Sequence, residues 1–213
     1  MGLKNKKVLL TYGPTSVPVD GVRVISNVST GAMGRCLIEA FRKKQARLTV
    51  LEGLVQEPAR FSGIKIKKFF FYDDLKKLIG RELKNHYDIF IHAAAVNDYR
   101  VKRICKGKIA SGQHNLRLDL IPTPKLIHQI KKRAPDVLLV GFKLETNADP
   151  RYLSQRGFEL IRKNRCDLAV ANAVSGNGRY SGIIVDKYQH QLAKANSRAL
   201  MAHRLIQTIE NML

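Results

Sequence analysis

The sequence lacks any apolar segment long enough to cross a membrane. A spanning helix needs about 18 or more consecutive apolar residues, and no run in the chain approaches that length. The N-terminal segment from Met1 to Lys7 also lacks the apolar core and cleavage site of a secretory signal. We therefore expect a cytoplasmic protein with no membrane partner.

Cysteine is also scarce. Cys36, Cys105 and Cys166 are odd in number and do not show the paired spacing of metal ligands. This pattern gives no support to a disulfide framework or a cysteine-based metal site, and it is typical of reduced thiols in the cytosol.

Acidic residues are few beside basic ones, 17 against 38, which gives a formal net charge of +21. Such a charge favours polyanions, and nucleic acid is one candidate partner. The basic residues are scattered, however, and the runs at 65–68 and 131–133 are short, with aromatic residues beside only the first. The same charge would attract a small polyanionic substrate. We favour the small polyanionic substrate over nucleic acid, and we keep a basic α/β nucleic-acid-binding module as the alternative.

Two common phosphate-binding fingerprints are missing. The turn after the first apolar run, Gly13-Pro14-Thr15, is neither the glycine-rich turn of dinucleotide-binding folds nor a Walker loop. Instead a long loop ends in Ser29-Thr30-Gly31, at the start of a predicted helix where free N–H groups and the helix dipole can hold a phosphate. The simpler alternative is that Ser29 or Thr30 only caps the helix.

Apolar runs alternate with amphipathic stretches, which is typical of βαβ units on a parallel sheet. We predict strands at 7–12, 48–52, 64–68, 88–92, 137–141 and 167–171, helices at about 31–44, 73–85, 152–163 and 197–213, and a late hairpin from 182–186 and 191–194. The predicted fold class is α/β, a Rossmann-like doubly wound and mainly parallel sheet, in a single domain over residues 1–213.

One stretch breaks the alternation. Residues 102–113 are polar and contain glycine, which predicts a mobile flap. Residues 116–120 alternate with period two, which predicts a half-exposed antiparallel strand. We therefore predict a small antiparallel extension at about 100–122 that carries the flap.

Polar residues in two loops are candidates for the chemistry. Asn27 is suited to hydrogen-bond a carboxylate, Arg23 to pair with an anion, and Asp98 to bind a ribose hydroxyl or a metal. The structural alternatives are that Asn27 organises a turn, that Arg23 pairs with Asp20 and that Asp98 caps the next turn. Because loops at the carboxyl ends of parallel strands meet at one crevice, we expect the two loops to form one site.

Small residues and a lysine complete the candidates. The alanines from Ala93 to Ala95 let a flat ligand approach the backbone closely, although tight packing of a helix also favours alanine. Lys108 lies in the predicted flap, where it is either exposed to solvent or placed to close over a phosphate.

Several sequence blocks, taken together, resemble one family. They are Gly13-Pro14-Thr15, the segment from Asp20 to Gly34, Ala94-Ala95-Val96-x-Asp98-Tyr99-Arg100, Gly107-Lys108-Ile109, Gly141-Phe142-x-x-Glu145-Thr146-Asn147, Arg162-Lys163-Asn164, and Asp167-Leu168-x-Val170-Ala171-Asn172. Because these blocks occur in the same order as in the family, the chain resembles phosphopantothenoylcysteine synthetase (phosphopantothenate–cysteine ligase) in its stand-alone form.

The resemblance implies a ligase of coenzyme A biosynthesis that joins 4′-phosphopantothenate to cysteine. The carboxylate of phosphopantothenate attacks the α-phosphate of CTP, giving an acyl-cytidylate and pyrophosphate, and the amine of cysteine then displaces CMP. Mg²⁺ and cationic side chains offset the charge of the approaching anions. The resemblance also implies a homodimer paired through the extension. A separate decarboxylase is expected for the next step, since no flavin-dependent decarboxylase domain precedes the first strand.

The resemblance implies roles for individual residues as well. Asn27 and Lys108 are implied to be catalytic, Asn27 by holding the reacting carboxyl group and Lys108 by neutralising phosphates from the flap. The substrate-binding residues implied are Arg23, Asn27, Ser29, Thr30 and Gly31. The nucleotide-binding residues implied are Gly13, Ala94, Ala95, Asp98, Lys108, Pro124, Phe142 and Lys163. No metal ligand is identified.

Three departures from the family pattern leave the nucleotide open between CTP and ATP. Lys108 is followed by Ile109-Ala110-Ser111, where further lysines are frequent in the family. The nucleotide loop reads Thr123-Pro124-Lys125-Leu126 in place of Asn-Pro-Asp-Ile, and residues 142–146 are similar to stand-alone and eukaryotic members, which tend toward ATP. The altered flap also motivates a third hypothesis, a family member that binds ligand without turnover.

Overall fold

A sheet of eight strands forms the centre of the computed structural model, which describes residues 2–112 and 114–213. The strands are β1 (Lys7–Tyr12), β2 (Ser16–Pro18), β3 (Val24–Ser26), β4 (Arg47–Glu52), β5 (Lys65–Lys68), β6 (Ile89–His92), β7 (Tyr99–Val101), β8 (Leu120–Pro122), β9 (Leu138–Thr146), β10 (Leu168–Val174), β11 (Tyr180–Asp186) and β12 (Gln191–Ala195). The helices are α1 (Ala32–Lys43), α2 (Tyr72–Glu82), α3 (Ile130–Arg133), α4 (Pro150–Asn164) and α5 (Arg198–Met212), and a short 3₁₀ helix (Leu126–Gln129) precedes α3. Met1 and Gln113, the latter at the end of the predicted flap, lie outside the described residues.

The order of the strands confirms the predicted α/β fold. Across the main sheet it is β12-β11-β10-β9-β6-β1-β4-β5, and every neighbouring pair from β10 to β5 is parallel. The strands β11 and β12 pair antiparallel, as the predicted late hairpin requires. The chain runs outward from β1 through β4 and β5 and then returns to β6 on the other side of β1. Ligands of open parallel sheets bind where the strand order reverses in this way, here between β1 and β6.

Helices cover both faces of the sheet. One face packs against α1 and α5 through Leu37, Phe41 and Leu205, and the other packs against α2 and α4 through Leu75 and Leu153. The central strands are apolar toward both faces, as a parallel sheet buried on two sides requires. Within residues 2–112 and 114–213, no helix combines the length and the apolar character that a membrane span needs.

Glycine shapes the start of α1, and the prediction that Ser29 or Thr30 caps this helix is wrong. The cap residue is Gly31, whose φ of 76° lies in the left-handed region that favours glycine. Thr30 lies one residue before the cap position, and its Oγ1 accepts a long hydrogen bond, at 3.4 Å, from the Ala32 nitrogen. At Gly34, a Cβ atom would lie 2.3 Å from the Tyr12 ring, so glycine is needed to bring α1 against β1.

The antiparallel extension is confirmed, but its second strand is not where the sequence pattern places it. β7 pairs with β8 at Leu120–Pro122, so the strand predicted at 116–120 is wrong except for its last residue. Leu116 and Leu118 are exposed, and nothing in the described part of the chain pairs with their backbone. Alternation of apolar and polar residues forms a strand only where a partner strand is available.

Element boundaries differ elsewhere for local reasons. α4 begins at Pro150, before the predicted 152, because Asp149 caps it by accepting a hydrogen bond from the Tyr152 nitrogen at 2.9 Å. The long loop after β1 contains an unpredicted hairpin, in which Val17 lies opposite Ile25. This hairpin of β2 and β3 ends directly before Asn27, so it positions a candidate site residue.

Candidate active site

The carboxyl ends of β1 and β6 open into a cavity of about 890 Å³. The loops that leave these strands are joined by their backbones. The Ala95 nitrogen donates to the Gly13 oxygen at 2.9 Å, and the Thr15 nitrogen donates to the Ala95 oxygen at 3.1 Å. These bonds extend the contact between β1 and β6 beyond the sheet, so two segments distant in sequence form one wall of the cavity.

Most of the predicted site residues line this cavity. They are Gly13, Asn27, Ser29, Thr30, Gly31, Ala94, Ala95, Asp98, Phe142 and Lys163. Arg23, Lys108 and Pro124 do not line it. The structure therefore brings the residues of two predicted loops, one strand and one helix together, while the roles assigned to them stay predictions.

Asn27 faces the cavity with part of its amide already engaged. Its Nδ2 donates to the Ala95 oxygen at 3.0 Å. An amide nitrogen has two N–H groups, so one remains for a ligand, and the Oδ1 atom has no hydrogen-bond partner among residues 2–112 and 114–213. Asn27 is thus fixed in orientation while it keeps one donor and one acceptor for a ligand.

The far wall of the cavity carries ion pairs. Asp98 pairs with Lys125, which belongs to the loop before the 3₁₀ helix. On α4, Glu159 accepts from Arg156 at 2.6 Å and lies 3.8 Å from the Nζ of Lys163. The positive charge of these side chains is therefore offset by neighbouring carboxylates.

A buried histidine in the cavity wall was not among the predicted residues. His92 ends β6, and its Nδ1 lies 2.9 Å from the Oγ1 of Thr11 on the neighbouring strand β1. Burial lowers the pKa of His92 to about 4, so the ring is neutral near pH 7. The only signal in the sequence is a histidine at the end of an otherwise apolar strand, which does not distinguish a site residue from a core residue.

Asn97 is a second residue that the sequence analysis missed. Its Oδ1 accepts a hydrogen bond from the Thr15 hydroxyl at 2.6 Å, and its own nitrogen donates back to that hydroxyl oxygen at 2.9 Å. Its carbonyl oxygen accepts from the hydroxyl of Thr123. Asn97 is 4% exposed, so this buried amide ties the Asn27 loop, the Asp98 loop and the Thr123 loop together.

Arg23 anchors the predicted flap and does not line the cavity. Its Nη1 donates to Asp20 Oδ2 at 2.8 Å and to the Ile109 oxygen at 3.2 Å. The Ile109 nitrogen donates to the same Asp20 oxygen at 3.0 Å. The buried carboxylate of Asp20 therefore holds the segment that contains Lys108, which is itself exposed.

We predict that this anchor is lost in acid. The backbone hydrogen bonds from Ile109 and Val22 lower the pKa of Asp20 to about 2, below its value of about 3.9 in an unfolded chain. A lowered pKa stabilises the fold above about pH 4, and that stabilisation is lost as the pH falls toward about 2. Asp20→Asn is expected to melt a few degrees below the wild type at pH 7, with a gap that closes on acidification.

Thermal melts of both proteins across this pH range test the anchor. Asp73→Asn is the matched control, because Asp73 lies in the first turn of α2 and forms none of the ion pairs described. A gap between Asp20→Asn and the wild type that stays constant from pH 7 to pH 2 would contradict the prediction.

A second cavity, of about 980 Å³, lies beside α4 near the amino end of β10. Its lining includes Phe158, Cys166 and the Lys131–Asp167 ion pair, at 2.7 Å. None of the predicted site residues lines it. We assign the candidate active site to the cavity at the carboxyl ends of β1 and β6, because the loops and the predicted residues converge there.

The comparison with protein-family models decides the family. The model described as "DNA/pantothenate metabolism flavoprotein C-terminal domain" (DFP) matches residues 3–213. The chain belongs to the DFP family. This confirms the family resemblance predicted from the sequence blocks, which runs through the loops that line the cavity.

Two curated relatives of the chain are named for coenzyme A biosynthesis. The chain is 35% identical over 216 residues to the coenzyme A biosynthesis bifunctional protein CoaBC of Thermococcus kodakarensis, covering 99% of this chain and 52% of that protein. It is 30% identical over 215 residues to CoaBC of Methanocaldococcus jannaschii, covering 99% of this chain and 52% of that protein. The chain thus spans about half the length of the curated relatives it matches.

Solved structures share the DFP fold. The DNA/pantothenate metabolism flavoprotein from Streptococcus pneumoniae superposes with a TM-score of 0.86 at 24% identity, covering 98% of this chain and all of that one. A mutant of Cab2 in complex with phosphopantothenate-cysteine superposes with a TM-score of 0.78 at 18% identity, covering 98% of this chain and 87% of that one. At these identities the similarity establishes the fold.

Proposed function

We propose that this chain is a ligase that joins 4′-phosphopantothenate to cysteine through an acyl-nucleotidylate intermediate. The observation that carries the proposal is the convergence of Asn27, the start of α1 and Asp98 on one cavity. The curated relatives named for coenzyme A biosynthesis support the pathway, and the Cab2 complex supports the product.

The first step needs two anions brought together. A carboxylate oxygen of phosphopantothenate attacks the α-phosphorus of the nucleotide, and the bond to pyrophosphate breaks. The free N–H of Asn27 donates to the carboxyl group and fixes its direction. The N-terminus of α1 presents unpaired backbone N–H groups and its positive dipole end to the phosphates. Lys163 and the flap residue Lys108 add positive charge.

The second step releases the nucleoside monophosphate. The amine of cysteine attacks the acyl carbon, the acyl–phosphate bond breaks, and the amine loses a proton as the amide forms. Asn27 holds the acyl oxygen during both steps, so the carbonyl carbon stays in place while its substituent changes. The neutral ring of His92 adds no charge to this wall at physiological pH.

The cavity fits Mg²⁺ held jointly by protein and substrate. No group of three or more His, Cys, Asp or Glu side chains able to hold a metal occurs among the described residues. Mg²⁺ typically binds one or two carboxylates together with substrate phosphates, and Asp98 is a carboxylate that lines the cavity. When bound, the ion would neutralise phosphate charge and polarise the α-phosphate.

The nucleotide is CTP or ATP in this proposal, and initial rates separate the two. Pyrophosphate release is measured with each of the four common nucleoside triphosphates, with phosphopantothenate and cysteine present. We expect release with CTP or ATP that depends strictly on phosphopantothenate. Release with none of the four would contradict the ligase proposal and favour a family member that binds without turnover.

Asn97 is expected to position the two loops for this reaction. Asn97→Ala removes the acceptor of the Thr15 hydroxyl, and a small displacement of the reacting groups lowers kcat by about 10- to 100-fold with little change in KM. Asn97→Asp keeps the acceptor, although it buries a negative charge, and should recover part of the rate. Steady-state kinetics of both variants test this, and equal losses in the two would contradict the positioning role.

We also propose a homodimer paired through the extension of β7, β8 and the segment between them. Tyr99, Leu116 and Leu120 are 55%, 52% and 46% exposed, and all three belong to this extension. Several large exposed apolar side chains within one small extension are typical of a surface that another protein covers. A second copy of the chain would bury them and bring a second flap close to the first cavity.

A further inference from the structure

The positively charged side chains that line the active-site cavity differ in whether a carboxylate neutralises them. The lysine and arginine side chains that line it are Lys125, Lys143, Arg156, Lys163 and Arg198. Lys125 pairs with Asp98, and Lys143 lies 3.4 Å from Glu145. Arg156 pairs with Glu145 at 2.8 Å and with Glu159 at 2.6 Å, and Lys163 lies 3.8 Å from Glu159. Of these five, Arg198 forms no ion pair within residues 2–112 and 114–213.

Arg198 is held in place without being neutralised. It is the first residue of α5, whose cap Ser197 accepts from the Leu200 nitrogen at 3.2 Å. The guanidinium carbon of Arg198 lies 5.2 Å from the centre of the Tyr180 ring. Burial raises the pKa of Tyr180, so the phenol stays uncharged. The ring therefore restrains the guanidinium by a cation–π contact and leaves its N–H groups available.

The position of Arg198 is suited to contact with the phosphates of a nucleotide. It lines the same cavity as Gly31 and Gly34 at the start of α1, and α1 packs against α5. The helix starts of α1 and α5, of 12 and 15 residues, therefore share this region with a free guanidinium. Helix starts favour anions through their unpaired N–H groups and dipole, and a guanidinium binds phosphate oxygens in a two-point geometry.

We propose that Arg198 binds the polyphosphate of the nucleotide substrate, a role that no sequence block assigned to it. The inference rests on the proposed function, since it names a further binding residue of the same site. Lys125, Lys143, Arg156 and Lys163 already have their charge offset by a carboxylate, whereas Arg198 binds phosphate without losing an ion pair. Arg198 is thus the pre-organised cation of this wall, and its guanidinium stays near the pyrophosphate as that group leaves.

Equilibrium binding tests this assignment. Titration calorimetry measures the affinity of each ligand for the wild type, Arg198→Gln and Arg198→Lys. The ligands are inorganic pyrophosphate, CTP, ATP, and the nucleosides cytidine and adenosine. We expect Arg198→Gln to weaken pyrophosphate and the preferred triphosphate by about 10- to 100-fold while nucleoside binding is unchanged. Arg198→Lys should recover part of the loss, because a lysine keeps the charge but loses the two-point geometry.

Two controls separate charge from folding. Arg204→Gln removes a cation from the same helix away from the cavity lining and should bind like the wild type. Tyr180→Phe keeps the aromatic ring under Arg198 and should also bind like the wild type. If Arg198→Gln folds poorly, Tyr180→Leu is the substitute test, because it removes the cation–π contact and should weaken pyrophosphate and triphosphate binding while nucleoside binding is unchanged.

The outcomes distinguish this inference from the ligase proposal. The role of Arg198 would be overturned if Arg198→Gln binds pyrophosphate and triphosphate like the wild type, or if it loses nucleoside binding to the same extent. It would also be overturned if the wild type binds no phosphate. Phosphate binding that depends on Arg198, in a protein that forms no amide product, would support the role of Arg198 and refute the ligase proposal.

Discussion

Asn27→Asp is expected to lower the rate of amide formation by at least about 10³-fold, the largest effect of any substitution in this cavity. The new carboxylate would face the substrate carboxylate, and its oxygen would replace the Nδ2 donor that now bonds the Ala95 oxygen at 3.0 Å. Both changes act against the first step, one by charge repulsion and the other by loss of the fixed orientation. Product formation by mass spectrometry and pyrophosphate release provide the measurement.

A matched control distinguishes a local effect from added charge. Asn147→Asp introduces the same charge at a residue outside the cavity lining, and aspartate keeps the oxygen that accepts from the Gly176 nitrogen at 3.2 Å. We expect this variant to retain the wild-type rate. Normal amide formation by Asn27→Asp would contradict a role of Asn27 in the reaction.

Lys108→Ala is expected to lower turnover by about 10²- to 10³-fold, as the loss of other charge-stabilising groups at reacting centres does. Lys108 is exposed and lies beside Ile109, whose nitrogen is anchored to Asp20, so its side chain is carried at a defined point of the flap. Lys106→Ala is the control, because Lys106 is exposed in the same segment. Single-turnover rates that are equal for both variants would exclude Lys108 from the site.

Lys108 does not line the cavity of its own chain, which makes the proposed dimer directly testable. Homodimers of Asn27→Asp and of Lys108→Ala are each expected to keep at most about 1% of the wild-type rate. If the flap serves the partner's cavity, a mixed dimer contains one site with both native residues and recovers about half of the wild-type rate. If each site uses its own flap, the mixed dimer stays inactive.

The sequence predicts the sheet and the convergence of the two loops because those signals are local. Apolar runs such as the one ending at Tyr12 identify buried strands, and alternation of strands with helices places their carboxyl ends at one edge. The start of α1 needed one correction, since Gly31 and not Ser29 or Thr30 occupies the cap position. That detail depends on a backbone angle that a glycine permits but does not demand.

The features that the sequence analysis missed depend on contacts between distant residues. The hydrogen bond from Thr15 to Asn97 joins residues 82 positions apart, and no local pattern marks either of them as a pair. Arg198 becomes distinctive only when the other cations of the cavity are seen to have carboxylate partners. The strand expected at 116–120 fails for the same reason, because its alternation is local while its formation needs a partner strand.

Oxygen-isotope transfer tests the central claim, that the carboxylate of phosphopantothenate attacks the α-phosphate in this cavity. The reaction is run with phosphopantothenate labelled with ¹⁸O in its carboxyl group, together with cysteine and the preferred nucleotide. Attack at the α-phosphate predicts that the nucleoside monophosphate carries one ¹⁸O atom and that pyrophosphate and orthophosphate carry none. Label in orthophosphate, or amide formation without label in the monophosphate, would contradict the acyl-nucleotidylate account.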